Sequence, residues 1–325
     1  MLEFWNAEVE IKEQLEAVHS LIASTVGESR SFIRPALLEH VQAPGKMLRP
    51  ALVLITSKLC EKDNLDEAVN VAAGIELIHL ASLVHDDIID AAPKRRGRAT
   101  LYARVGAKQA VLGGDYLLAK AMGLSANAEA FNAQVVSNAF SRLLESELDQ
   151  DSEVGNFFIS QRTYLRRIAG KTASLFALCC YAGVALAQAG PVLEMTTHRL
   201  GYALGMAFQI QDDILDYDGS ASHLGKETGS DLRCGIPTLP LLLALEEERR
   251  RGTEELARLL KRGPLNKRST AKVVSLVADL GGIDGAREVE DRYRRRAERD
   301  IATLPDSEVR RLLTGLLATL STRSV

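Results

Sequence analysis

Apolar residues recur at three- and four-residue intervals along almost the whole chain, and no run alternates apolar and polar residues as a half-buried strand would. That periodicity predicts an all-α fold. Helices are expected over residues 6–25, 31–41, 46–60, 65–92, 101–124, 128–151, 158–188 (broken near Gly170), 191–218, 238–250, 252–262, 268–281, 283–303 and 306–321. Interruptions are expected at Pro44-Gly45, Gly113-Gly114, Gly190-Pro191, Gly263-Pro264, Gly281-Gly282 and Pro305-Asp306, where glycine and proline disfavour a continuous helix. No Ser/Gly/Pro-rich linker divides the chain, so a single all-α domain over 1–325 is expected. At 325 residues and 46% hydrophobic, it has enough apolar surface for a large core.

Charge and cysteine usage narrow the function classes. The 40 Lys+Arg nearly balance the 43 Asp+Glu, and aromatics are only 5%, so neither bulk attraction to nucleic acid nor base stacking is expected. Cys60, Cys179, Cys180 and Cys234 show no metal-ligand spacing and read as reduced thiols, which favours a cytoplasmic location. The start of the chain reads as an amphipathic helix with acidic residues where a signal peptide would be basic. The uncharged run from Thr172 to Leu193 is broken at Gly190-Pro191 and reads as a buried helix, leaving at most peripheral membrane contact. The runs EEERRRGTEELARLLKRG and YRRRAERD read as solvated helical faces.

Two acidic inserts break the apolar pattern. In LVHDDIIDAAPKRRGRAT, Asp86, Asp87 and Asp90 stand among Leu83, Val84, Ile88 and Ile89. In QIQDDILDYD, Asp212, Asp213 and Asp216 repeat the same spacing far downstream. Residues four apart share a helix face, so Asp86 pairs with Asp90 and Asp212 with Asp216, and like charges at that spacing repel. A hard divalent cation resolves the conflict: Mg²⁺ takes oxygen ligands, keeps waters, and uses one or two carboxylates together with substrate phosphates. One such insert is equally an exposed helix face; two within apolar helices point to two walls of a metal–diphosphate site.

Cations at suitable positions would receive anionic substrates. GKMLRP puts Lys46 and Arg49 at a helix start, where free amides also favour anions. Arg95 and Arg96 follow the first acidic insert, where the simpler reading is cations at a helix C-terminus. Lys171 and Thr172 open KTASLFALCC, and Lys226 lies in the Gly-flanked segment LGKETGSD. His79 lies two turns before Asp86.

Together LVHDDIIDAAPKRRG, GKMLRP, GKTASLF, FQIQDDILDY and GKETGSDL…TLP, running from about Lys46 to Pro240, resemble the motif set of the trans-isoprenyl diphosphate synthases, the polyprenyl synthetase family. The resemblance implies an isoprenoid-synthase-type bundle of long antiparallel helices around a deep central cavity, and a homodimer or, in some members, a heteromer. It implies that Lys46, Arg49, His79 and Arg96 hold isopentenyl diphosphate, and that Arg95, Lys171 and Lys226 help hold an allylic prenyl diphosphate. Its Mg²⁺ ions, three with bound diphosphate, would hang from Asp86, Asp90 and Asp212, with Asp87, Asp213 and Asp216 acting through waters or behind the ligands. Ionisation would leave an allylic cation stabilised by Thr172, Gln209 and the Lys171 carbonyl. The alkene of isopentenyl diphosphate attacks it, and the proton lost goes to the released diphosphate. Glu147 and Gln150 in ESELDQ resemble a family position lining the cavity, with Ser146 where glycine is usual. Ile236 and Met47 stand where many members carry a cation.

In this family the product descends a tunnel beneath the first acidic cluster. Here Ala81 and Ser82 are small where short-chain enzymes place an aromatic ring. Ile78, then Ile75 and Gly74, follow deeper, and Phe140 with Val136 one turn on is the candidate floor, ordinary helix packing being the competing reading. The expected product is hexa- to decaprenyl diphosphate, with geranylgeranyl diphosphate as the alternative. A class I terpene cyclase would need neither a second DDxxD nor Lys46, Arg49 and Arg96, and a non-catalytic partner subunit would usually lose acidic residues that are intact here.

Overall fold

The computed structural model describes residues 2–43, 45–59, 64–95, 97–125, 133–218, 228–305 and 307–321. The helices in chain order are α1 (Val9–Gly27), α2 (Arg34–Val41), α3 (Leu48–Ser57), α4 (Leu65–Ile89), α5 (Leu101–Ser125), α6 (Ala133–Glu153), α7 (Gln161–Ile168), α8 (Ser174–Leu186), α9 (Pro191–Leu215), α10 (Ser230–Arg233), α11 (Leu239–Arg251), α12 (Glu255–Leu260), α13 (Lys267–Asp279), α14 (Gly282–Ala302) and α15 (Ser307–Ser321). The only strands among the described residues are β1 (Lys94–Arg95) and β2 (Arg98–Ala99), an antiparallel pair. The fold is all-α.

Backbone contacts sort the chain into two compact units, Met1–Ala133 with Cys179–Thr197, and Gln134–Leu178 with His198–Val325. In the first, α4 packs against α1, α3 and α5, around fully buried Leu15, Leu52, Ile55, Val71 and Ile75. The α8 segment reaches this core at Gly183, where a Cβ would fall 2.1 Å from Thr56 Oγ1, so only glycine admits the approach. In the second, α11 packs against α7, α13 and α14. One cluster there gathers Leu241, Leu256, Val273 and Val277; another gathers Tyr164, Ile168, Met206, Ile210 and Leu239. Two stretches, Leu65–Ile89 and Gln161–Leu186, are long and apolar enough to cross a membrane, but 61% and 83% of their apolar windows are buried by the protein itself.

Most departures from the periodicity lie at helix ends and have local causes. α2 starts at Arg34 because Pro35 takes one of its first two positions. α3 is preceded by Met47 in a left-handed conformation, φ 54°, which no helix can include. α4 stops at Ile89 because Ala91 also turns left-handed (φ 46°), and the amides of Ala91 and Ala92 close back on the Ile88 and Asp87 carbonyls. The break expected at Gly113-Gly114 does not occur. α5 runs through both glycines and instead kinks at Gly106 (φ 77°, ψ 164°). Gly113 and Gly114 are small for packing: a Cβ would fall 2.9 Å from Leu101 Cδ2 and 2.4 Å from His85 Nε2, respectively. Arg95, read as a cation at a helix C-terminus, lies instead on β1.

The stretch EEERRRGTEELARLLKRG is not wholly solvated. Glu248, 3% exposed, accepts from the Leu256 and Ala257 amides at 2.7 and 2.9 Å and so caps α12. Glu290 on α14 is 8% exposed. Burial pushes its carboxyl up to about 7; Arg294 opposes the shift, while Asp291 and Glu298 add to it. A carboxyl raised in the folded state binds more protons there than in the unfolded chain, so it costs stability as pH rises from its ordinary 4.5 through about 7. Glu290→Gln is therefore expected to stabilise the protein by about 1–3 kcal/mol at pH 8 and by nearly nothing at pH 4. Urea unfolding at the two pH values checks this, and an equal gain at both would refute it.

Candidate active site

The first acidic cluster occupies the last turn of α4. Asp86 is half-buried, Asp87 is 1% exposed, and Asp90, the residue that ends the helix, is exposed. The second cluster occupies the last turn of α9 and the residue following it: Asp212 is exposed, Asp213 is 4% exposed and Asp216 is 9% exposed. Each set of carboxylates thus stands at the negative end of a 25-residue helix, where the backbone dipole disfavours anions and favours cations. Helix electrostatics add to the mutual repulsion within each cluster.

Within each cluster the protein holds some aspartates and leaves others facing water. Asp87 Oδ1 accepts from Arg95 Nε at 2.8 Å, while its buried Oδ2 finds no hydrogen-bond partner among the described residues. Asp213 accepts from the Tyr164 hydroxyl at 2.7 Å and from Gln209 Nε2 at 2.9 Å. Burial pushes Asp213 up to about 8, helped by the charge of Asp231, while the hydrogen bonds from Tyr164 and Gln209 pull it down. Asp216 accepts from the Ser230 amide (3.0 Å), the Ser230 hydroxyl (2.7 Å) and the Asp231 amide (3.1 Å), tying the start of α10 to the end of α9. Asp90 at the end of α4 and, separately, Asp212 at the end of α9 are exposed oxygen donors. Carboxylate oxygens of this kind suit a hard, oxygen-seeking ion such as Mg²⁺ and no soft metal. Among the described residues no three acidic, imidazole or thiol groups are gathered around one point.

The cations differ in how they are held. Arg95 sits on β1 with its side chain 37% exposed, its Nε committed to Asp87. Arg96 and Lys226 lie outside the described residues. Lys46 and Arg49 are half-buried around the start of α3, and His79 is half-buried on α4. Lys171 donates to Glu147 Oε2 at 2.8 Å and reaches Gln150 Oε1 at 3.4 Å. It belongs to a π-helical turn, Ala169–Ala173, between α7 and α8. This is where the 158–188 helix was expected to break. The inserted residue turns the faces of α7 and α8 relative to one another, and such turns are frequent at functional sites. The hydroxyl of Thr172, in the same turn, donates to Gln209 Oε1 at 2.7 Å.

Of the residues read as tunnel positions, Ala81, Ile75, Ile78 and Gly74 are buried on α4, and Ser82 is half-buried with its hydroxyl bonded to the His79 carbonyl at 2.9 Å. Phe140 and Val136 are half-buried on α6. Met47 is buried and Ile236 is half-buried.

Two residues near these groups carry no sequence signal. Trp5 is fully buried and donates to the Lys46 carbonyl at 3.1 Å, fixing the backbone just ahead of α3. Tyr164 is fully buried and holds Asp213. Trp5 is the chain's one tryptophan, which is a weak hint; Tyr164 reads simply as one apolar position of an amphipathic helix.

Residues 31–277 match the polyprenyl synthetase family. The heptaprenyl diphosphate synthase component 2 of Geobacillus stearothermophilus is 37% identical over 310 residues, covering 94% of each chain. Among solved structures, heptaprenyl diphosphate synthase from Staphylococcus aureus superposes with a TM-score of 0.89 at 29% identity, over 97% of this chain and 99% of that one. A polyprenyl synthase from Caulobacter crescentus CB15, complexed with calcium and isoprenyl diphosphate, does so with a TM-score of 0.87 at 33% identity, over 97% and 96%. With the helical fold and the paired acidic helix ends, this match makes the chain a prenyltransferase belonging to the polyprenyl synthetase family.

Proposed function

We propose that this chain elongates an allylic diphosphate primer with isopentenyl diphosphate, head to tail and in trans geometry, to a hexa- to decaprenyl diphosphate. The observation that carries the reading is the pair of DDxxD clusters at the C-terminal ends of α4 and α9, each combining buried, protein-held aspartates with exposed ones. In this reading Asp86, Asp90 and Asp212 are the metal ligands, and Asp87, Asp213 and Asp216 steady them. Three Mg²⁺ ions, when bound with diphosphate, would supply Lewis-acid stabilisation to the leaving group. Lys46, Arg49, His79 and Arg96 orient isopentenyl diphosphate; Arg95, Lys171 and Lys226 orient the allylic diphosphate. The Nε of Arg95 on Asp87 leaves the outer edge of its guanidinium suited to a phosphate, since the group carries five donors.

The chemistry breaks the allylic C–O bond, with the electron pair leaving on diphosphate. Thr172 and Gln209, the first bonded to the second, present oxygen to the resulting cation. The alkene of isopentenyl diphosphate forms the new C–C bond, and the proton released goes to diphosphate. Buried, small Ala81 and half-buried Ser82 support a product longer than geranylgeranyl, as do relatives named for heptaprenyl products. The phrase "component 2" in one relative's name supports a second reading, that a partner subunit is required in place of a homodimer. We propose the cytoplasm as its location, with at most peripheral membrane contact.

The test incubates the purified chain with labelled isopentenyl diphosphate, farnesyl diphosphate and Mg²⁺, then resolves dephosphorylated products by length. A ladder ending at six or more isoprene units is expected. Termination at geranylgeranyl would keep the chemistry but place the tunnel floor near Ile78. No elongation by folded protein with any primer would sink the stand-alone enzyme, and a cyclised product formed without isopentenyl diphosphate would mark a terpene cyclase.

A further inference from the structure

Tyr164 has no part in the reading above, yet it begins a continuous line of hydrogen bonds that ends at Thr172. The phenol donates to Asp213 Oδ2 at 2.7 Å, Asp213 Oδ1 accepts from Gln209 Nε2 at 2.9 Å, and Gln209 Oε1 accepts from the Thr172 hydroxyl at 2.7 Å. We propose that Tyr164 is a positioning residue for the condensation, setting through Asp213 and Gln209 the direction in which the Thr172 hydroxyl presents its oxygen. The proposal rests on the assignment of Thr172 to the allylic cation.

The argument turns on the two faces of an amide. A glutamine side chain donates from nitrogen and accepts at oxygen, and the two ends are nearly the same size, so its surroundings decide which way it faces. Here Asp213 accepts at both oxygens, from the phenol at Oδ2 and from the Gln209 nitrogen at Oδ1, which leaves the Gln209 oxygen on the Thr172 side. The Thr172 proton is then spent on Gln209, and what the hydroxyl has left is its lone pairs. With the amide reversed, Thr172 would accept from Gln209 and direct its own proton outward. Lone pairs stabilise a developing positive charge and a proton opposes it, so the direction of this relay sets the sign of the effect.

The relay needs a fixed starting point, and Tyr164 provides one. It is fully buried, and the guanidinium of Arg167 lies 5.7 Å from its ring centroid. Arg167 is itself 3% exposed and is bonded to Glu153 at 3.0 Å and to the Pro237 carbonyl at 2.5 Å, so it does not swing away from the ring. The phenol in turn occupies Oδ2 of Asp213, which leaves Oδ1 for Gln209. The π turn Ala169–Ala173 brings Thr172 round to meet Gln209. No residue in the line is a surface group with freedom to choose another partner; even Gln209 is half-buried.

The test is a double-substitution cycle of Tyr164→Phe and Thr172→Val, read as the single-turnover rate of one condensation with farnesyl diphosphate and labelled isopentenyl diphosphate, so that product release does not mask chemistry. All four proteins are assayed well below the lowest of their melting temperatures. Tyr164→Phe is expected to slow the step about tenfold, with KM for both diphosphates within about twofold of the parent, and Thr172→Val to slow it at least as much. In the Thr172→Val background, Tyr164→Phe is expected to change nothing further. Multiplying effects would overturn the relay, because a residue needed only for folding does not care whether Thr172 has its hydroxyl. A parental rate for Thr172→Val alone would remove the role of Thr172 itself, and the relay with it. Should Tyr164→Phe fail to fold, Tyr164→Met, which also lacks the hydroxyl, takes its place in the same cycle, with the same loss of additivity expected and multiplying effects again overturning the proposal.

Discussion

Asp212→Asn is expected to lower the condensation rate by about 10²–10³ and to raise the Mg²⁺ concentration needed for half-maximal activity, while leaving the urea midpoint nearly unchanged. The two halves of that expectation come from the same observation. Asp212 is exposed at the end of α9, so losing its charge removes no hydrogen bond found among the described residues, and exposed substitutions of this kind shift stability by only about 0.5 kcal/mol. Its oxygen is available to an ion, and an amide is a weaker donor to a hard cation than a carboxylate. Asp216→Asn should behave in the opposite manner. That carboxylate serves three donors from Ser230 and Asp231, and replacing an oxygen by NH₂ sets donor against donor in a buried place, costing about 1–3 kcal/mol. Measuring rate against Mg²⁺ and unfolding against urea for both variants separates ligand from support. Equal stability losses, or an unchanged Mg²⁺ requirement for Asp212→Asn, would refute the division of labour.

That division illustrates where sequence stops informing. DDxxD spacing marks six aspartates as a set, because helical periodicity alone puts Asp86 with Asp90 and Asp212 with Asp216. It does not say which carboxylates the protein satisfies from within. For Asp213 this is decided by Tyr164, forty-nine positions earlier on another helix, and for Asp216 by Ser230, beyond a connection that follows α9. Partners so distant leave no local pattern. The same holds for Trp5 and the Lys46 carbonyl, separated by 41 positions.

Element type was legible because period-3.6 patterning is a property of each segment by itself; the helices expected from periodicity have their counterparts, most with shifted ends. Ends were less legible for two reasons. Left-handed residues such as Met47, ahead of α3, and Ala91, after α4, bound helices without themselves being glycine. Glycines such as Gly113 and Gly114 are also used to admit a neighbouring side chain, so they do not always announce an end. The hairpin of β1 and β2 is two residues per strand, too short to show any alternation. Gly170 is the informative exception, since one residue both interrupts the helix and permits a close approach.

At Gly170 the approach is tight enough to predict a large effect. A Cβ there would fall 1.7 Å from Ser146 Oγ, 2.7 Å from the Arg142 carbonyl oxygen and 2.9 Å from Ser146 Cβ. Ser146 has little room to give, because it is 6% exposed and its hydroxyl is bonded to that same carbonyl at 2.7 Å. Gly170→Ala must therefore push α6 and the π turn apart, at a cost of about 3 kcal/mol. The displacement falls on Lys171 and Thr172, whose partners Glu147 and Gln209 lie 2.8 and 2.7 Å away, and an error near 1 Å in such groups lowers rate by about 10². Ser146→Gly supplies the control. Alone it should cost about 1 kcal/mol, as glycine within a helix does. Combined with Gly170→Ala it removes the two Ser146 contacts, the nearer of them by far the tightest, while the one with the Arg142 carbonyl stays, so the double variant should recover part of both stability and rate. Urea midpoints and single-turnover rates of the four proteins decide the matter. If the two substitutions simply add, Ser146 is not what confines Gly170; if Gly170→Ala is itself harmless, the π turn does not depend on this contact to hold Lys171 and Thr172 in place.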